Sequence, residues 1–396
     1  MCSCQKALTE KRKQIKNICT ETPKHWDYLN HEQQKMQPSS KTELWSVEKD
    51  TGEGMISTKL RLAHLALSIM TMGYVWQEGE GDPVKALPQN LAVPFWAVSQ
   101  KLGLPPILTH ADGVLANWRK RDPDGYNVNL ELLFRLPGGE SARGFFVVTL
   151  MVELAAVPGL KLCGVYDGDF AVVTRALEVL SQAIDRMKEA LKLILCGSIS
   201  GIMRIFLSGW KDNPTMADGL VYEGVQAEPL EFSGGSAAQS SLLHCFDELL
   251  GVKHEEKSGA FLTRMRDYMP PSHKRFIEDI SCMPSLRDFV LKRRDESLTE
   301  AFDRCVDRLV ALRSYHLNIV SRFISIPAAH AKKLCAGGSA SLEEHNTVGK
   351  APISLEERGT AGSGIMSFLK VVRDQTKSVL ISSCTIEKQT FLDSSI

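Results

Sequence analysis

The sequence predicts a mainly α protein, in which a large all-helical domain follows a smaller, truncated α/β domain at the N-terminal side. Three observations carry this. Beyond residue 137 apolar residues recur at steps of three and four through most of the chain. Only residues 128–136 alternate, in part, as a strand does. A Pro137-Gly138-Gly139 break separates the two regimes.

Residues 1–57 are polar, rich in Lys, Glu, Gln and Ser and without sustained periodicity, so a loosely ordered segment is expected there. The small domain is placed at 58–136. It begins with a helical pattern (Leu60, Leu62, Leu65, Ile69, Tyr74), continues through chain punctuated by Pro88, Pro94, Pro105 and Pro106, and ends in the short strand. The large domain is placed at 137–378. Helical patterns cover 144–156, 167–195, 203–210, 240–250, 259–268 and 297–326. The last opens on a Ser297-x-x-Glu300 capping box and stops at Pro327. Residues 328–364 are small and polar, a flexible loop, and 379–396 form a tail; no internal repeat is found.

Composition narrows the function. Lys+Arg and Asp+Glu both number 47, so no net charge draws the chain to nucleic acid or to a membrane surface; a small molecule or a protein is the expected partner. The 10 cysteines include no CxxC pair and no zinc-type Cys/His set, and they read as reduced thiols of a cytoplasmic protein. The first residues lack the apolar core of a signal peptide. The most apolar stretches, 62–76 and 145–160, are too short or are broken by Glu153 and Pro158, and read as core helices.

The apolar stripe of the longest helix runs Leu298, Phe302, Cys305, Leu309, Leu312, His316, Ile319, Phe323, which turns His316 inward. Such an imidazole is either a core histidine bonded to backbone or an iron ligand, and Arg313, one turn earlier, suits a haem propionate. Phe232-Ser-Gly-Gly-Ser236-Ala237 leads into a helix. It is either an ordinary connection with Ser240 or Ser241 as N-cap, or a place where backbone approaches a bulky anionic ligand. Ser236 as a nucleophile with His316 and Asp247 lacks a G-x-S-x-G elbow. Arg204, within an apolar segment, needs a carboxylate, either internal or from a substrate. Phe145 and Thr149 share one face of an apolar helix, as core or as the wall of an aromatic site. Leu220-Val-Tyr222-Glu-Gly-Val225 has the spacing of a tyrosine-phosphorylation motif, with a structural tyrosine as the favoured reading.

Several stretches, in order, are similar to the indoleamine 2,3-dioxygenase family: LPPILTHADGVLANW, RGFFVVTLMVE, RIFLSGWKDNPTMADGLVYEG, EFSGGSAAQSSLLHCFDELLG, MRDYMPPSHKRFIEDI, LRSYHLNIV and RGTAGSGIMSFLK. The resemblance covers roughly residues 58–375. It implies a haem b site with His316 as proximal iron ligand and Arg313 on a propionate. Gly235, Ser236, Ala237, Ser208 and Asp247 would surround the haem. Phe145, Thr149, Arg204, Ser236 and Thr360 would hold the substrate, with Arg204 on its carboxylate and Thr360 closing over it. No residue acts as acid or base; Ser236 and Thr360 assist. The implied reaction is the cleavage by O2 of the indole C2–C3 bond of L-tryptophan and related indoleamines to N-formylkynurenine, the first step of tryptophan catabolism by the kynurenine pathway. An external electron donor, a monomeric state, a role in immune regulation and a low turnover complete the expectation.

The low turnover follows from departures. Where the family carries a His-Asp-x-Val-x-Pro segment and two aromatics before the arginine, this chain reads Leu195-Cys-Gly-Ser-Ile199-Ser200-Gly201, which removes packing from the distal side. His110 and Gly113 stand at positions of Tyr and Cys, and Ala361 replaces a glycine of the Gly-Thr loop. The rival expectation is a catalytically impaired haem-binding or interaction paralogue signalling through Tyr222.

Overall fold

The computed structural model describes residues 52–122, 129–162, 170–194, 201–326 and 364–382. Among these the chain is mainly helical, as predicted, with four two-residue strands. It divides into two compact units, one of residues 1–150 and 192–235, the other of residues 151–191 and 236–396. All but the last residue of the loop expected at 328–364, the part of the expected tail 379–396 that follows residue 382, and the first 51 residues lie outside the described residues.

The first unit begins with α1 (Gly52–Val75), which packs on α2 (Gln89–Leu102). Its buried side carries Leu65, Met72, Val75 and the polar His64. Helix α2 was not expected, because Pro94 lies inside it. Pro94 and the Asn90 carbonyl that loses its donor both face solvent, so water replaces the missing bond. The helix stops at Gly103, which takes φ 64° and returns its N–H to the last turn. Strand β1 (Ala86–Leu87) pairs in parallel with β4 (Val221–Tyr222), and β2 (Arg119–Lys120) pairs antiparallel with β3 (Leu130–Glu131). The strand expected over 128–136 thus shrinks to two residues.

Between α2 and β2 the chain makes a π-helical turn, Ala111–Ala116. Asp112 holds it: Oδ1 accepts from buried His64 Nδ1 at 2.7 Å, and Oδ2 accepts from Thr109 N at 3.0 Å and Thr109 Oγ1 at 2.7 Å. Gly113 is in this turn because the Phe146 ring lies against it; an added Cβ would come to 3.1 Å of Cε1. Tyr222 is fully buried and donates its hydroxyl to Pro106 O at 2.8 Å, so the structural reading of that tyrosine holds.

Helix α3 (Gly139–Leu162) contributes its first half to the first unit and its second half to the other. It is long and apolar enough to cross a membrane by composition, yet Phe146, Val148, Leu150 and Ala155–Val157 are buried in protein. The remaining helix of the first unit is α5 (Gly201–Leu207), the segment expected at 203–210.

Among its described residues the second unit is built of helices: α4 (Phe170–Leu191), α6 (Ser241–Leu250), α7 (Glu256–Met265), α8 (Pro271–Cys282), α9 (Leu286–Arg293), α10 (Glu296–Val320) and α11 (Ile365–Lys377). Its axis is α10, packed against α4 and α11. Leu298, Phe302, Cys305, Leu309 and Leu312 are buried, as the stripe requires, each large apolar side chain contributing about 2 kcal/mol. Close approach of α3, α4 and α6 depends on Gly159, where a Cβ would meet Leu180, Ala183 and Phe246.

Both ends of α10 differ from expectation. Its N-cap is Asp295, whose Oδ1 accepts from Leu298 N at 2.9 Å; Ser297 donates to that same carboxylate instead of capping. An anionic cap suits the positive end of the helix better than a hydroxyl. At the C-terminal end the helix passes into a π-helical segment, Ser321–Ser325, and the wider turn carries Phe323 out of the stripe to a half-buried position. Asp303, buried on α10, accepts from the backbone N–H of Ile381 and Ser382 at 2.8 and 2.9 Å.

Candidate functional site

In the second unit His316 keeps its inward position, and the geometry is unusual for a core histidine. Neither ring nitrogen has a hydrogen-bond partner among the described residues. Protein surrounds the ring deeply enough that burial, followed by the nearby Arg313 charge, lowers its pKa to about 4. Yet the residue is not closed off: part of its surface stays accessible, unlike Leu312 and Leu317 on either side. The expectation of a core histidine bonded to backbone is not met. A neutral imidazole with an unused nitrogen is the donor an iron ion takes.

Arg313, one turn before it, is buried against Asp247 on α6. Asp247 accepts from Nη2 at 2.8 and 2.7 Å and from His254 Nε2 at 3.0 Å. Burial alone would raise the Asp247 carboxyl; the Arg313 charge and the His254 hydrogen bond outweigh it and hold the group at about 2. The internal pair leaves Arg313 with N–H groups still available to a second anion.

Ser236 caps a short 3-10 turn, Ala237–Gln239. Its Oγ accepts from Ala238 N at 3.2 Å while the Gln239 side chain reaches back to Ser236 N at 3.4 Å, a capping box that sequence reading missed. Ser240 precedes α6 without capping it and donates to Glu153 Oε1 at 2.7 Å. His244 donates from Nε2 to Ala238 O at 2.9 Å and is held neutral, at about 4, first by burial. Ser236 Oγ meets no histidine among the described residues, so the hydrolase arrangement of Ser236, His316 and Asp247 is not assembled.

In the first unit Arg204 is half-buried on α5, and Ser208, one turn later, donates its hydroxyl to Arg204 O at 2.8 Å while its own carbonyl accepts from Trp76 Nε1 at 3.1 Å. Glu80 is the acid that senses Arg204: burial pushes its carboxyl up to about 7 against the pull of the guanidinium, and its Oε1 is buried without a hydrogen-bond partner. Phe145 and Thr149 share a face of α3, as expected, and the Thr149 hydroxyl donates to Phe145 O at 2.8 Å. The Phe145 and Phe146 rings meet edge-on at 5.3 Å.

Gly235 lies against the Leu108 carbonyl, where a Cβ would stand 3.4 Å from the oxygen. The stretch of chain before it crosses the segment just after α5 so closely that Gly209 admits no side chain at all: an added Cβ would overlap Gly234 N and Phe232 O. Trp210 N and Lys211 N both donate to that Phe232 carbonyl at 2.9 Å. Thr360, Ala361, Ile199 and Ser200 lie outside the described residues. Glu80, His254, Gln375 and Thr376 were missed, and nothing local in the sequence marks them.

The family model described as indoleamine 2,3-dioxygenase matches residues 44–379. The chain is 51% identical to human indoleamine 2,3-dioxygenase 2 over 330 residues, which span 80% of this chain and 78% of the relative. It is 45% identical to rat indoleamine 2,3-dioxygenase 1 over 81% of this chain and 80% of the relative. A myoglobin of the abalone Haliotis madaka is 39% identical over 81% of both chains. With the family model matching residues 44–379 and relatives about half identical over four fifths of its length, the chain belongs to the indoleamine 2,3-dioxygenase family, an oxidoreductase family that depends on haem iron.

Proposed function

We propose that this protein is a haem-dependent dioxygenase that opens the indole C2–C3 bond of L-tryptophan and related indoleamines with O2 to give N-formylkynurenine. The observation that carries the reading is His316: enclosed, neutral, and without a hydrogen-bond partner among the described residues. The other residues fit haem as well. Arg313 has donors left for a propionate, and Gly235, Ser236 and Ala237 offer backbone without bulk.

Bound at His316, haem iron supplies the activation of dioxygen that side chains do not. The chain's own residues bind and orient. Arg204 takes the substrate carboxylate, with Glu80 as its rival anion when substrate is absent. Phe145 and Thr149 wall the indole, and the Ser236 oxygen keeps a lone pair for the substrate ammonium. Asp247 and Ser208 hold other residues in place rather than touching substrate. Thr360 has an assisting role toward the substrate on the family resemblance alone. A cytoplasmic monomer with an external electron donor, low turnover and a part in immune regulation completes the proposal.

The test is reconstitution of the purified protein with haem, followed by ferrous and ferrous-CO absorption spectra beside His316→Ala, and then an assay for N-formylkynurenine. A histidine-type Soret band that the variant loses, together with product formation, supports the reading. The similarity to a protein named myoglobin favours a second reading, haem binding without turnover. A full Soret band with no product from tryptophan would select it.

A further inference from the structure

Three elements of the second unit meet on one carboxylate. Asp247, on α6, receives Arg313 Nη2 on both oxygens, and its Oδ2 also lies 3.0 Å from His254 Nε2. His254 stands in the loop after α6; its Nδ1 is 2.9 Å from Gln375 Oε1 on α11, to which Ser258 Oγ donates at 3.4 Å. Arg313 Nη1 donates to Thr376 Oγ1, the neighbour of Gln375, and Thr376 in turn donates to Val372 O at 2.7 Å. The guanidinium is therefore held by α6 through Asp247 and by α11 through Thr376.

A proton count fixes what His254 does here. Carboxylate oxygens only accept, so Nε2 carries a hydrogen. Nδ1 either donates to Gln375 Oε1, or accepts from the same amide turned over. In its present orientation Gln375 Nε2 is buried and lacks a partner. Both arrangements leave Nε2–H on Asp247 and differ only in the charge of the ring. Around His254 the other polar groups are Asp247, with Arg313 behind it, Gln375 and Ser258; His244, one turn before Asp247, senses its charge.

We propose that His254, braced by Gln375, is a positioning residue for Arg313, fixing the guanidinium so that its remaining N–H groups meet a haem propionate. A carboxylate gripped on both oxygens by the single Nη2 atom can still pivot about that atom; a second donor on Oδ2 restricts the pivot and with it the swing of the paired guanidinium. Three of the five Arg313 N–H groups are engaged with Asp247 and Thr376, which leaves two for an incoming anion. The inference rests on the haem reading above and adds to it a residue that touches neither haem nor substrate.

The experiment uses the haem-loaded full chain and measures the rate of haem transfer to excess apomyoglobin. It compares the parent with His254→Phe and His254→Gln, each loaded either with haem or with haem dimethyl ester, whose propionates carry no charge. The phenylalanine variant is expected to lose haem roughly tenfold faster, as loss of an outer partner of a metal site does. The glutamine variant, which keeps an N–H toward Asp247, is expected to recover most of that difference. With the dimethyl ester the parent and His254→Phe are expected to release at the same rate. Equal acceleration with both cofactors would make His254 a packing residue and overturn the proposal, as would parent-like rates with native haem. Gln375→Leu, which removes only the brace, gives the same comparison if His254→Phe does not fold. Absence of haem uptake by the parent, seen before any rate is measured, would overturn the haem reading itself and the proposal with it.

Discussion

Gly209 and Phe232 are in backbone contact. The Phe232 carbonyl accepts from both Trp210 N and Lys211 N, and it lies where a Cβ on Gly209 would go. This crossing anchors the small-residue segment that ends at Gly235. Gly209→Ala has no flexible side chain to displace, only backbone. It is expected to destabilise the protein by at least about 3 kcal/mol, measured by urea unfolding. A loss under 1 kcal/mol would mean that the crossing relaxes easily.

Arg204→Ala is expected to lower kcat/KM for tryptophan by at least about thirtyfold, because a desolvated Arg–carboxylate contact broken from one side costs about 2–5 kcal/mol. Steady-state kinetics that match the parent would remove Arg204 from substrate binding.

Glu80 should make that binding pH-dependent. Its carboxyl titrates at about 7, raised by burial. Below that pH Glu80 is neutral and does not compete for Arg204; above it, the Glu80 anion competes with a substrate carboxylate. The expected outcome is a tryptophan KM that rises from about pH 6.5 to about pH 8.5 in the parent and stays level in Glu80→Gln. The same raised pKa means that Glu80 disfavours folding as pH climbs from 4.5 through 7. Parallel KM profiles for the two proteins would sink the idea.

Acid should unfold the haem-free protein early. His316 and His244 are both held neutral down to about 4, burial being the first cause, whereas an unfolded chain protonates them near 6.5. The unfolded state thus binds more protons between about 4 and 6.5, so stability falls as pH falls through that window. Asp247, held at about 2, adds a further loss only below its ordinary 3.8. Urea midpoints across this range should decline in the parent and decline less in His316→Gln. An identical slope in the variant would show that His316 is protonated in the folded state.

Sequence reading succeeded where one helix face repeats for long enough to average out exceptions. Leu298 through Leu312 is such a run, and it put His316 in place before any coordinates. It failed at α2, because a solvent-side Pro94 reads the same as a helix breaker, and past Val320, because a π turn changes the period without changing the residue types. Arg313 and Asp247 were legible through the family resemblance. His254 and Gln375 were not: they lie 121 residues apart, and neither has a local pattern that requires the other.

Asp303 gives the end of the described chain a meaning of its own. Its carboxylate, almost wholly buried in α10, is satisfied by two backbone N–H groups, those of Ile381 and Ser382. A transcript or a protease that ends the chain at Leu380 would leave this buried anion with neither donor. The boundary of tolerable truncation is therefore set from inside the protein, by one aspartate some eighty residues upstream.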